Sequence, residues 1–191
     1  MKLKTRFQML AVALLGGLFV LPASAALIGT SVTGTLNFAA NPTNFFNSSN
    51  AFVPAGCQNS GLGSATVTVS GSASEFCFDD GANTDRANFS DLGLIVTDIA
   101  AGGGNSPWTM TFAFAPGLIT GVSETGDNFP NGGVNFALAN NVLTLTFAGT
   151  GTIFNGTAAY TFNAARVPEP ASLALLGLGL AGLGFSRRKQ A

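Results

Sequence analysis

The 191-residue chain is 47% hydrophobic and only 9% charged, with a formal net charge of −1 and no histidine. Without histidine it can build neither a Ser-His-Asp triad nor a histidine-ligated metal centre. Lys2, Lys4, Arg6, Arg187, Arg188 and Lys189 stand at the two ends, so the middle is acidic and offers no basic patch for nucleic acid.

Lys2, Lys4 and Arg6 form a positive start, Met9 to Leu21 is an apolar run, and Pro22-Ala23-Ser24-Ala25 closes it with a small-x-small site. These are the three parts of a secretory signal peptide, and they predict a leader helix over 1–25 with cleavage after Ala25. The partners at this stage are the Sec machinery and signal peptidase. The fold is therefore sought from Ala26 onward.

The body up to Arg166, about 140 residues, suits one domain. Its acids are Glu75, Asp79, Asp80, Asp85, Asp91, Asp98, Glu124 and Asp127; its bases are Arg86 and, at the border, Arg166. Apolar residues alternate with hydroxyl-bearing or small ones in run after run. The apolar sets are Val32/Leu36/Phe38, Val67/Val69, Trp108/Met110/Phe112/Phe114, Val134/Phe136/Leu138, Leu143/Leu145/Phe147 and Tyr160/Phe162. A period of two is the mark of half-buried strands. Between the runs lie turn signals such as Asn41-Pro42, Pro116-Gly117 and Asn131-Gly132-Gly133. Asn140-Asn141 sits between two apolar runs and predicts a tight hairpin, because Asn tolerates positive φ. The expectation is an all-β domain over 26–163, an antiparallel β-sandwich or jelly roll with phenylalanines between the sheets.

Cys57 and Cys77 are the only cysteines. In an exported chain they are expected to pair, closing a loop worth roughly 3 kcal/mol in the chain-entropy model. The other reading is two free thiols. The densest acidic stretch is Asp79-Asp80-Gly81-Ala82-Asn83-Thr84-Asp85. Asp79, Asp80, Asn83 and Asp85 offer oxygen donors of the kind calcium takes, though without EF-hand spacing. The same residues also suit a plain strand-to-strand turn, in which Asp, Gly and Asn serve the backbone. No other cofactor is indicated. Trp108 beside a glycine-rich loop could stack on a sugar, but its alternation with Met110 points to the core. Hydrolysis would need two carboxylates. Glu75 and Glu124 are available and nothing marks them as a pair, so the chain is read as non-enzymatic.

Last comes the tail, 164–191. Pro168-Glu169-Pro170 is followed by an uncharged run from Ala171 to Phe185 and then Arg187, Arg188 and Lys189. As a helix the run would cover roughly 22 Å. That is short of the ~30 Å hydrocarbon core. Four glycines weaken it further (Gly177, Gly179, Gly182 and Gly184). The basic cluster would hold its end in the cytoplasm. A short helix packed on the domain is the other reading of such a run.

This three-part order resembles the PEP-CTERM sorting signal. The resemblance covers only the end of the chain, from Val167 on. It implies a Gram-negative cell-envelope protein recognised by an exosortase at Pro168, Glu169 and Pro170. It also implies a transmembrane-type helix that tethers the precursor, with Arg187, Arg188 and Lys189 as the retention signal. Such tails often accompany exopolysaccharide and biofilm production. The combined expectation is a protein delivered to the envelope and then to the outer surface, acting as a structural or adhesive matrix component in contact with exopolysaccharide. The alternative is a polysaccharide- or calcium-binding module.

Overall fold

The computed structural model describes residues 23–24, 26–39, 41, 43–46, 57, 65–100, 106–150, 153–164, 166–167 and 177. The chain divides into two compact units, Ala25–Ala165 and the two ends, Met1–Ser24 with Arg166–Ala191.

The larger unit is all β. Its strands are β2 (Ser31–Phe38), β3 (Thr66–Thr68), β4 (Phe76–Asp79), β5 (Asn83–Ser90), β6 (Gly93–Ala100), β7 (Trp108–Ala113), β8 (Ile119–Asp127), β9 (Asn135–Ala139), β10 (Val142–Phe147) and β11 (Asn155–Ala164). They form two five-stranded sheets, ordered β3-β2-β7-β10-β9 and β4-β5-β6-β11-β8. Among the described residues every pairing between these strands is antiparallel.

The period-two pattern becomes an inside and an outside. Val32 and Leu36 of β2, Met110 and Phe112 of β7, and Leu143 and Leu145 of β10 are fully buried. So are Ala87 of β5, Val96 of β6 and Ala158 of β11 from the other sheet. Rings close the gap between the sheets. Phe112 meets Phe76 at 5.5 Å and Phe89 at 5.2 Å, and Phe114 meets Phe162 at 5.7 Å. Burial of each such ring contributes about 1.5–3 kcal/mol, and the edge-to-face contacts add to it. At Gly34, an inner position of β2, a Cβ would lie 2.6 Å from the Phe76 ring. The ring fits only because that position has no side chain.

The hairpin expected at Asn140-Asn141 is present. Both residues have positive φ, 51° and 63°, and Ala139 pairs with Val142 across the turn. The disulfide Cys57–Cys77 is formed, with Cα atoms 6.0 Å apart. The run Val134/Phe136/Leu138 becomes the edge strand β9, where Phe136 stays 39% exposed and meets Tyr160 edge-on.

Alternation did not reveal β5, β6 or β8. The sequence NTDRANFS of β5 is mostly polar, yet Asp85, Ala87 and Phe89 are all buried. The strand exists because β6 pairs with its whole length and β4 pairs with Thr84, Asp85, Arg86 and Ala87 on the other side.

In the smaller unit, β1 (Ala23–Ser24) pairs antiparallel with β12 (Arg166–Val167), Ala23 opposite Val167 and Ser24 opposite Arg166. The rest of the expected leader helix lies outside the described residues, and so does the expected tail helix apart from Gly177. Among the described residues no helix is long and apolar enough to cross a membrane.

Candidate functional site

The acidic stretch splits into two environments. Asp79 ends β4, and its Oδ1 accepts the Gly81 N–H at 2.8 Å. The Oδ1 of Asp80 accepts from Ala82 N at 2.8 Å and from Asn83 N at 2.6 Å. Gly81 takes φ 83°, which its lack of a Cβ permits. These two carboxylates therefore build the β4–β5 turn, as Asx side chains do.

Asp85 lies elsewhere. It sits within β5 on the inner face, 0% exposed, opposite Asp98 of β6. Thus Asp79 and Asp80 serve the turn, while Asn83 and Asp85 share the inner face of β5. Among the described residues no group of three or more acidic or cysteine side chains gathers to hold a metal.

Asp98 is 3% exposed and accepts a hydrogen bond from Trp108 Nε1 at 3.0 Å. That bond spans the two sheets. Trp108 itself is 1% exposed and packs on Phe147 and Phe129. It anchors the core, as its alternation with Met110 indicated, and is no platform for a sugar. Burial first, then the charges of Asp98 and Asp80, push the Asp85 carboxyl well above the usual carboxylate range. Sequence reasoning passed over Asp98. The signal was there: Leu94, Val96, Asp98 and Ala100 share one parity, so an acid falls on the inward face of an apolar strand.

The two glutamates considered for hydrolysis are far apart. Glu75 is fully buried just before β4, and Glu124 is exposed on β8, at the opposite edge of the same sheet. Four strand spacings separate those edges, about 19 Å. A glycosidase pair works at no more than about 9.5 Å. Glu75 is occupied as a clamp: Oε1 accepts from Ser70 N at 3.1 Å and Oε2 from Phe89 N at 2.7 Å.

What marks this chain for handling by other proteins lies beyond the last strand of the sandwich, which ends at Ala164. Residues 166–189 match the PEP-CTERM protein-sorting motif. The PEP-CTERM motif implies an exported protein, a membrane-anchored precursor and an exosortase as the processing partner. Of its residues, Pro168, Glu169, Pro170, Arg187, Arg188 and Lys189 lie outside the described residues, whereas Arg166 and Val167 form β12. No curated protein and no solved structure matches the chain.

Proposed function

We propose that the chain is a structural or adhesive component of the extracellular matrix, delivered through its PEP-CTERM tail and displayed as a β-sandwich that contacts exopolysaccharide. The sorting motif at 166–189 carries the delivery half of this reading. Pro168, Glu169 and Pro170 are the recognition residues, and Arg187, Arg188 and Lys189 the retention signal. The destination after processing is the outer surface.

The contact half is supported by the outer face of the first sheet. Thr66 and Thr68 of β3, Thr33 and Thr35 of β2, Thr109 and Thr111 of β7, and Thr144 and Thr146 of β10 all point outward. The register sets Thr35, Thr111 and Thr144 in one row across three strands, and Asn37, Thr109, Thr146 and Asn135 in the next. Thr35 and Thr111 hydroxyls lie 2.6 Å apart, and Thr33 and Thr66 2.7 Å apart. Strand spacing repeats these hydroxyls every ~4.8 Å. A polyhydroxylated chain can exchange hydrogen bonds along such rows without a pocket. A defined lectin site is the alternative, and it would bind one glycan saturably.

Two experiments test the halves separately. Glu169→Gln or Pro168→Ala should leave an unprocessed, membrane-retained form by mass spectrometry of the protein from its native host; unchanged processing removes the delivery half. Thr111→Val with Thr144→Val keeps shape and strand preference but deletes two central hydroxyls. The exported variant should then leave the exopolysaccharide fraction, and undiminished co-fractionation removes the contact half.

A further inference from the structure

Asp85 and Asp98 face each other across β5 and β6 at one end of the sandwich interior. Both oxygens of Asp85 are buried with no hydrogen-bond partner among the described residues, and so is Oδ1 of Asn83, two residues earlier on the same face of β5. Asp98 Oδ2 takes the Trp108 indole N–H. The body carries Arg86 and no lysine, and Arg86, next to Asp85 in the strand, points to the other face of the sheet. The chain thus brings oxygens together without a side-chain cation on the same face of β5.

We propose that Asp85, Asp98 and Asn83 Oδ1 form a site for a hard divalent cation of the calcium class at this end of the sandwich. Opposed residues in an antiparallel pair have Cβ atoms about 5 Å apart, and neighbours on one face stand about 7 Å apart. Carboxylate and amide arms from those positions reach a common point at calcium–oxygen distances of roughly 2.4 Å. An ion removes the cost of burying Asp85 without donors, which falls on both of its oxygens. A proton shared between the two acids would serve one oxygen and leave Asn83 Oδ1 orphaned. Magnesium demands a regular octahedron and keeps its water, which suits a buried, uneven donor set poorly. Calcium accepts mixed carboxylate and amide oxygens, and extracellular modules bind it at about 10⁻⁴–10⁻³ M. The turn carboxylates Asp79 and Asp80 are left out of the proposed ligand set, because their Oδ1 atoms hold backbone N–H groups of the β4–β5 turn.

Trp108 is the only tryptophan, and it touches a proposed ligand directly, so its fluorescence reports on the site. The full-length protein in detergent micelles is stripped with EDTA and titrated with CaCl2, with MgCl2 as the comparison. Emission and thermal midpoint are recorded for the wild type, Asp85→Asn, Asp98→Asn and Asp79→Asn. Calcium at ten times its dissociation constant should raise the folded-to-unfolded ratio about elevenfold. That corresponds to a rise in midpoint of roughly 5 °C. The emission change should saturate with the same constant. Asp85→Asn and Asp98→Asn should each abolish both responses, and Asp79→Asn should keep them. Superimposable EDTA and calcium curves for the wild type up to ~10 mM, well past the extracellular range, would overturn the proposal even if no variant folds. Loss of the response in Asp79→Asn alone would also overturn it, by moving the site to the turn.

Discussion

Glu75 and Asp85 are both 0% exposed, in the same sheet layer, yet they are opposite cases. The register of β4 with β5 begins at Phe76 and Ala87, so beyond Ala87 the β5 backbone is paired with β6 on one side and has no strand on its β4 side. The Glu75 carboxylate fills that gap, taking the Phe89 N–H with one oxygen and the Ser70 N–H with the other. Asp85 has its backbone flanked on both sides, by Phe78 and Asp98, and its side chain receives no donor among the described residues. A buried carboxylate that completes a ladder holds the fold together. One that the ladder does not need is available for something else.

The largest effect that tests this contrast is at Glu75. Truncation to Ala strips the buried Phe89 N–H and the half-buried Ser70 N–H of this acceptor, and an orphaned buried donor costs about 1–3 kcal/mol. Charge-assisted bonds lie at the upper end. Glu75→Ala should therefore destabilise the protein by about 2–4 kcal/mol in denaturant titration. A loss below ~1 kcal/mol, within the range of an ordinary surface change, would mean the clamp is incidental.

Asp85→Asn should act in the opposite direction in metal-free protein. The wild-type carboxyl faces Asp98 on β6, Phe78 on β4 and Asp80 in the turn, and all its shifting influences raise its affinity for a proton in the folded state. The folded state then binds more protons than the unfolded one. Stability is full below the unfolded aspartate value of about 3.9 and falls as pH rises toward the higher folded value. Asn neither ionises nor shares that loss. In EDTA at pH 7 the variant should be more stable than the wild type, by about 1–3 kcal/mol. Near pH 3 the advantage should vanish. A variant less stable at both values would show that Asp85 has donors after all and belongs with Glu75.

The contrast was only half legible in the sequence. Alternation placed Trp108, Met110, Phe112, Leu143, Leu145 and Phe162 on the inside, and the paired asparagines 140 and 141 set their hairpin. These are local signals, carried by neighbours two residues apart. The β4–β5 turn was likewise legible in Asp80, Gly81 and Asn83. What separates Asp85 from Asp79 is non-local. It depends on which residue of β6 stands opposite, and on where β4 begins. Asp98 is thirteen positions downstream, and nothing in the composition of either stretch states the register that joins them. Glu75 shows the same limit: its neighbours suggest a loop acid, and only the missing rung beside Phe89 gives it a task. The PEP-CTERM tail is the reverse case, readable because its recognition depends on linear order.

Tyr160 offers the smallest and finest test. It is 2% exposed, stands opposite Leu94 and Glu124, and its hydroxyl is buried with no hydrogen-bond partner among the described residues. Burial first, then Asp127 and Glu124, hold the phenol above its ordinary value. The hydroxyl thus resembles Asp85 in lacking a donor or acceptor, but it is neutral, so its cost is that of one unpaired polar group. Phenylalanine keeps the ring and its edge-on contact with Phe136 while removing that group. Tyr160→Phe should leave stability unchanged at pH 7 or raise it by up to about 1 kcal/mol. Above pH ~10 the gain should widen, because the wild-type unfolded state ionises there while the folded phenol keeps its proton. A loss of more than ~1 kcal/mol would place an acceptor on that hydroxyl, making Tyr160 a second completed contact like Glu75.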